Sequence, residues 1–412
     1  MDTPLPPADE IYFPEGGLRA WSVVFGVIIL IGTSHSSFGF VNAWVFQEYY
    51  ARTLLKDQSQ GTIAWIGSTQ YALVYLPCLV SGRLLDIGYL RAPLLVASVS
   101  LVFCLFMTAQ CTQYWQFMLS QGVTLGIVSG FVFGPALPIV THYFYKRRAI
   151  VYGIVALGAS TGGTVLAIAV RKLLPRVGFP WTMRITALIF IATTGTANIT
   201  LRRRLPPKNV KGGLFNLPAF RSMPYTLYTA SMCVGLLGIY TVLTYIDTMA
   251  VGLGINPEMS FYLVAIANAA SAVGRFVPCL AANRLGAVNL LIIFTFIAAV
   301  MTIAWPFAKT FGNLLAISIV YGASTGAYMS LMALPVAKPS MGGQGDIGRR
   351  TGMVFTVCSI GALCGPPISG LIEARTGGYI AVGYYAGSVT ILACILMFAC
   401  KIVATGRVAG SF

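Results

Sequence analysis

Phe261–Gly286 reads FYLVAIANAASAVGRFVPCLAANRLG, an apolar run with a single charge, Arg275, well inside it. As a helix, about 20 apolar residues span the hydrocarbon core of a bilayer, so this stretch is long enough to cross one. No acidic residue lies within two turns of Arg275 on either side. A guanidinium placed in lipid costs at least ~2.5–3.5 kcal/mol. A chain keeps such a residue where it faces a cavity, a partner or an anionic ligand.

The rest of the composition points to the same solvent. The chain has 412 residues, of which 57% are hydrophobic and 9% charged, against about 25% charged in soluble chains. A net charge of +16 could suggest nucleic acid, but the basic residues fall in short clusters between apolar runs, not on one solvated face. The nine cysteines show neither paired nor metal-ligand spacing, and Cys104, Cys233, Cys394 and Cys400 lie inside apolar runs as small hydrophobes. No cofactor or metal is expected. The opening MDTPLPPADEIYFPEGG is acidic and proline-rich, unlike a signal peptide, and reads as a cytoplasmic tail ahead of a retained membrane helix.

Windows near 20–44, 62–82, 92–110, 115–140, 148–172, 181–201, 224–249, 259–283, 287–308, 311–335, 351–373 and 379–403 are each apolar enough to span, about twelve helices in all. The longest polar break, LRRRLPPKNVKGGLFNLPAFRSMP, divides them six and six. The expected organisation is a tail 1–18, a six-helix bundle 19–201, a linker 202–222, a second bundle 223–404 and a tail 405–412. With the N-terminus inside, eighteen Lys and Arg fall on the inner side and eight on the outer, so both termini are expected in the cytoplasm. Gly122, Gly126, Gly130 and Gly134 recur every four residues, and Gly158, Gly162 and Gly163 crowd the next window, a spacing for close helix packing. Pro135, Pro138, Pro278, Pro335, Pro366 and Pro367 mark candidate breaks.

Between the second and third windows stands GRLLDIGYLR, with Gly82, Asp86, Gly88 and Arg91. Glycine permits close helix approach, and the aspartate can meet a helix end or a cation on the other bundle. This resembles the signature of the major facilitator superfamily. Further stretches are similar to its monocarboxylate-transporter-like branch, in its fungal form: EGGLRAWSVVFG from Glu15, FGFVNAWVFQEYY from Phe38, YFYKRRAIVYGIVALGASTGG from Tyr143, GFPWTMR from Gly178, NAASAVGR from Asn268 and IGRRTGM from Ile347. The resemblance implies an all-α membrane protein of two six-helix bundles. It also implies a gate built from Gly82, Asp86, Arg91, Arg147 and Arg148.

It further implies that Arg275 receives a substrate carboxylate, a role suited to the planar guanidinium fork. Two charged companions found in animal members are replaced here, by Ser271 one turn before the arginine and by Gly39 late in the first helix. That tilts the solute towards something larger or less acidic than lactate. His35, four residues before Gly39, is the candidate proton carrier, its alternative role being a hydrogen bond between helices. Rise arithmetic sets it ~10 Å from Arg275 in depth. Asn268, Ser271 and Asn42 are candidate solute contacts, with Gln47 and Tyr71 as further polar lining. Arg184 is expected to snorkel, and the Asn198 sequon to be spurious because it lies near the inner membrane face.

The function expected is secondary active transport of a small organic solute, first a carboxylate-bearing metabolite, with protons as the candidate coupling ion. The alternative is efflux of a fungal secondary metabolite. The membrane expected is the plasma membrane. A membrane sensor would need a sizeable signalling tail, and an integral membrane enzyme would need a catalytic set. The windows offer neither. The oligomeric state is open.

Overall fold

In the computed structural model the described residues are 13–35, 46, 49–58, 60–207, 213–338, 346–407 and 410. Asn42, Gln47 and the side chain of His35 fall outside this set, as do residues 208–212 of the linker. The described chain is helical without strands.

The helices are α1, Leu18–His35, then α2, Thr62–Ile87, α3, Arg91–Thr108, and α4, Tyr114–Val140. Next comes one 53-residue helical run, Arg148–Thr200. Straight, it would be ~80 Å long, far more than a bilayer. It breaks at Gly178, whose φ of 73° and ψ of 172° suit glycine alone, with Pro175 and Pro180 on either side. The two parts are α5 (148–177) and α6 (179–200). They run out and back, because Tyr143, just before α5, donates its hydroxyl to the Arg202 carbonyl just after α6, at 2.9 Å. Then follow α7, Met223–Gly252, α8, Pro257–Leu285, α9, Ala287–Phe307, α10, Phe311–Ala337, α11, Ile347–Thr376, and α12, Ile380–Thr405. Among the described residues ten runs are long and apolar enough to cross a membrane. Dividing the long one at Gly178 and adding α1 gives the twelve expected from the windows.

Prolines shape these helices unevenly. Of the candidate breaks, Pro135 interrupts α4 at Gly134–Pro135, while Pro278, Pro366 and Pro367 sit inside uninterrupted helix. α2 breaks at Leu76–Pro77 and α7, without a proline, at Ile239–Tyr240. These last two breaks lie beside Arg275.

Small residues set the helix spacing. Gly122, Gly126, Gly130 and Gly134 of α4 each face α2, where an added Cβ would press on Ile66, Gln70, Val74 and Ser81 in turn. Gly158 and Gly162 of α5 lie on Ile28 and Gly32 of α1, and Gly274 of α8 interleaves with Gly322 and Gly326 of α10. In lipid, where apolar surface has no water to escape, such close backbone approach drives helix association. The two bundles meet along α2–α11, where Gly82 touches Gly348, and along α5–α8, where Gly153 touches Cys279. Val96, Val99 and Phe103 of α3, and Ile293 and Phe296 of α9, are exposed, forming the surface offered to acyl chains.

Candidate functional site

Arg275 lies on α8 at the seam between the bundles and is 6% exposed. Its Nη1 donates to the Ala156 carbonyl of α5 at 3.5 Å, a long bond, and its buried Nε has no partner. Around it stand Tyr71 and Tyr75 of α2 and Tyr240 of α7, brought in by the two breaks just described. The three hydroxyls are near enough to feel one another's charge and that of Arg275. Tyr240 donates to the Met329 Sδ at 3.3 Å, and the rings of Tyr71 and Tyr240 meet edge to face at 4.4 Å. Among the described residues no carboxylate pairs with Arg275. Phenol oxygens soften the field of the buried cation without neutralising it, so the site favours an anion or a strong acceptor.

A cavity of about 20 Å³ opens beside the guanidinium, lined by Ile31, Tyr75, Phe133, Tyr152 and Met329 from α1, α2, α4, α5 and α10. That is room for roughly one water, so the seam is closed down on the arginine. Ser271 is buried at the α5–α8 crossing, its hydroxyl 2.9 Å from that of Ser160 and 2.8 Å from the Asn268 carbonyl. Ser271 and Asn268 are thus near Arg275 along α8 but do not line this cavity. α1 places His35 one turn beyond the lining residue Ile31.

The end of the molecule rich in Lys and Arg carries a second polar cluster. Asp86, at the end of α2, accepts from the backbone N–H of Gly348 at 3.2 Å and of Arg349 at 2.7 Å. It caps the N-terminus of α11 from the opposite bundle, where the helix dipole favours a negative charge. Asp346 stands just before the same helix and pairs with Arg349 at 2.7 Å and Arg350 at 2.9 Å. Asn216 of the linker donates to it at 2.8 Å. Burial would raise the Asp346 carboxyl, but the Arg349 hydrogen bond, the Arg350 charge and the Asn216 amide outweigh it and hold it below the usual carboxylate range. Arg148 reaches across to the Ala337 carbonyl at 3.4 Å, and Asn283 of α8 reaches the Lys146 carbonyl at 3.0 Å. Arg147 and Arg91 have exposed side chains that join no contact between the bundles among the described residues.

His142 is buried before α5 with its Nδ1 unpartnered. Burial first, then the nearby Arg203 and Arg204, lower it to about 3. Glu15, at φ 51°, lays its carboxylate against three successive backbone N–H groups, of Tyr145 at 2.7 Å, Lys146 at 2.6 Å and Arg147 at 3.0 Å. Stacking of Phe13 on Tyr145 completes this clasp. Away from the seam, Arg184 lies over the Trp181 ring at 5.0 Å. Asn198 donates to Ser98 at 2.8 Å in the α3–α6 packing.

Sequence reasoning missed the partners of two residues it singled out. Tyr71 stood as possible lining, but Tyr75 and Tyr240 sit in apolar runs that give no local sign of a shared hydroxyl cluster. Asp86 stood as a gate residue, while Asp346 and Asn216 escaped notice because their roles depend on a linker folding back across the bundle end.

A family model described as Major Facilitator Superfamily matches residues 24–342. The chain is 35% identical over 404 residues to an MFS-type transporter of Ophiocordyceps sp., covering 97% of this chain and 89% of that one. It is 34% identical to an aspyridones efflux protein of Emericella nidulans, covering 95% and 79%. It is 31% identical to an agnestins efflux protein of Paecilomyces divaricatus, covering 91% and 87%. Among solved structures, the human organic anion transporter MFSD10 superposes with a TM-score of 0.71 at 14% identity, covering 92% of this chain and 99% of that one, a likeness of fold. With the family match spanning most of the twelve helices and relatives aligned almost end to end, the chain belongs to the major facilitator superfamily of transporters.

Proposed function

We propose that the protein exports a secondary metabolite by alternating access of two bundles, 19–201 and 223–404, joined by the linker 202–222. The sequence reading set a carboxylate-bearing solute first and efflux of a secondary metabolite second. The relatives named for efflux support the reverse order. The observation that carries the mechanism is Arg275, buried at the seam among tyrosine hydroxyls with no carboxylate partner among the described residues. An acidic or enolic group on the solute would complete its coordination, while the aromatic walls would take the apolar remainder.

The excess of Lys and Arg at the end bearing Asp86 supports its placement, with tails 1–18 and 405–412, in the cytoplasm. On that placement the described form is closed to the cytoplasm. The gate is Gly82, Asp86 and Arg148, with Arg91 and Arg147 at its rim. His35 remains the candidate proton carrier, and Asn42, Asn268 and Ser271 further candidate solute contacts. The finer likeness to the monocarboxylate-transporter-like branch is supported by the meeting of two of its motifs, through Glu15 and residues 145–147. An exporter of this kind belongs in the plasma membrane. The test compares metabolites in medium and cells with the gene deleted, restored, or carrying Arg275→Gln at equal membrane abundance. Deletion should hold a compound inside and Arg275→Gln should fail to release it. Unchanged distribution contradicts the reading.

A further inference from the structure

The described part of the linker, residues 213–222, has two faces. One is turned to the gate: Asn216 donates to Asp346 at 2.8 Å, Arg349 donates to the Gly213 carbonyl at 3.3 Å, and Phe220 packs on Tyr225 at 5.3 Å. The other is apolar and open, with Leu214, Phe215 and Leu217 exposed by 38%, 53% and 67% and Arg221 exposed beside them. This face runs on into Met223, the exposed first residue of α7, and so into the acyl-facing surface of the molecule. The exposed Arg202 and Arg204 follow the end of α6. Large apolar side chains flanked by arginines, at the depth where helices leave the bilayer, match the boundary between acyl chains and anionic headgroups.

We propose that this face docks onto an anionic lipid leaflet and that docking holds the gate shut. Phe215 and Leu217 enter the headgroup boundary, and Arg221 and Arg202 meet lipid phosphates. The fixed segment presents Asn216 and the Gly213 carbonyl to Asp346 and Arg349, which keeps the start of α11 under the Asp86 cap. The composition of the leaflet thereby biases the carrier towards the form closed at this end. The consequence for transport rests on the alternating-access reading, but the lipid response does not.

The test reconstitutes the full chain in vesicles of phosphatidylcholine, alone or with phosphatidylglycerol, and follows amide hydrogen exchange in 213–223 and at Gly348 and Arg349. Phosphatidylglycerol should slow both sets, by about fivefold for each arginine engaged. Phe215→Ser with Leu217→Ser, both surface changes, should abolish the lipid effect and leave the phosphatidylcholine rates as they were. Asn216→Ala should keep lipid protection of the linker and lose that of the gate amides. Equal rates in both lipids for the unaltered protein overturn the proposal. So does lipid-independent protection accompanied by cross-linking between copies, which would assign the face to a second molecule. No solute enters the measurement, so failed export and failed lipid response are separate results.

Discussion

Arg275 and Asp86 are both charges held where water is scarce, and they differ in what answers them. Asp86 has a helix end and two backbone donors, whereas Arg275 has one long bond and an unpartnered Nε. Replacing Arg275 by Gln should therefore change transport more than folding. Hydrogen bonds to a charged group contribute about 1.5–3 kcal/mol, so export should fall by about 10–100-fold at unchanged membrane level, measured as initial efflux rate. Asp86→Asn keeps the shape and removes the charge from the α11 terminus. A helix-end charge in a partly buried site is worth up to about 2 kcal/mol, so exchange at Gly348 and Arg349 should quicken by about ten- to thirtyfold. No change there would show that the cap does not hold the gate. Both residues were legible in the sequence for one reason: a charge inside or beside an apolar run has to be explained. The tyrosines were not, since a phenol in a membrane helix is ordinary until its neighbours are known.

At the scale of helices, glycine decides which surfaces touch. An added methyl on Gly274 would run into the Ala323 carbonyl, on the backbone of α10, which has no side chain to swing aside. Gly274→Ala should lower stability by about 1–3 kcal/mol, seen as a lower melting temperature in detergent. Gly67→Ala meets nothing within 4 Å and is the control that should melt unchanged. The packing role of the α4 glycines could be read from their spacing, because a four-residue repeat places them on one helix face. The breaks at Leu76–Pro77 and Ile239–Tyr240 could not. Pro77 resembles prolines such as Pro278 that leave their helices unbroken, and which outcome follows depends on neighbours satisfying the freed carbonyls.

For the whole molecule, pH should act through the closed end. His142 sits near 3 in the closed form against about 6.5 when hydrated. Below about pH 6.5 an open or unfolded form takes up a proton that the closed form refuses, so closure weakens by about 1.4 kcal/mol per pH unit until roughly pH 3. Asp346 acts with the same sign at lower pH: its depressed carboxyl favours closure above the ordinary carboxylate range and loses that effect only in strong acid. His142→Asn should therefore leave closure stronger below about pH 6.5 than in the unaltered protein, read as slower gate-amide exchange. The twelve-helix plan was legible in apolar windows and a polar break, since bilayer thickness fixes helix length. The folding of the linker onto α11 was not, because it depends on one amide, Asn216, finding Asp346 from 130 residues away.

The Glu15 clasp sets a schedule for biogenesis. Its three amide partners lie 130 to 132 residues further along the chain, and a ribosome adding about 5–20 residues per second needs roughly 7–26 s to deliver them. For that interval the first helix waits in the membrane with its acidic lead-in unsatisfied. Nascent chains stalled before residue 145 should therefore leave Glu15 open to modification, and longer ones should protect it.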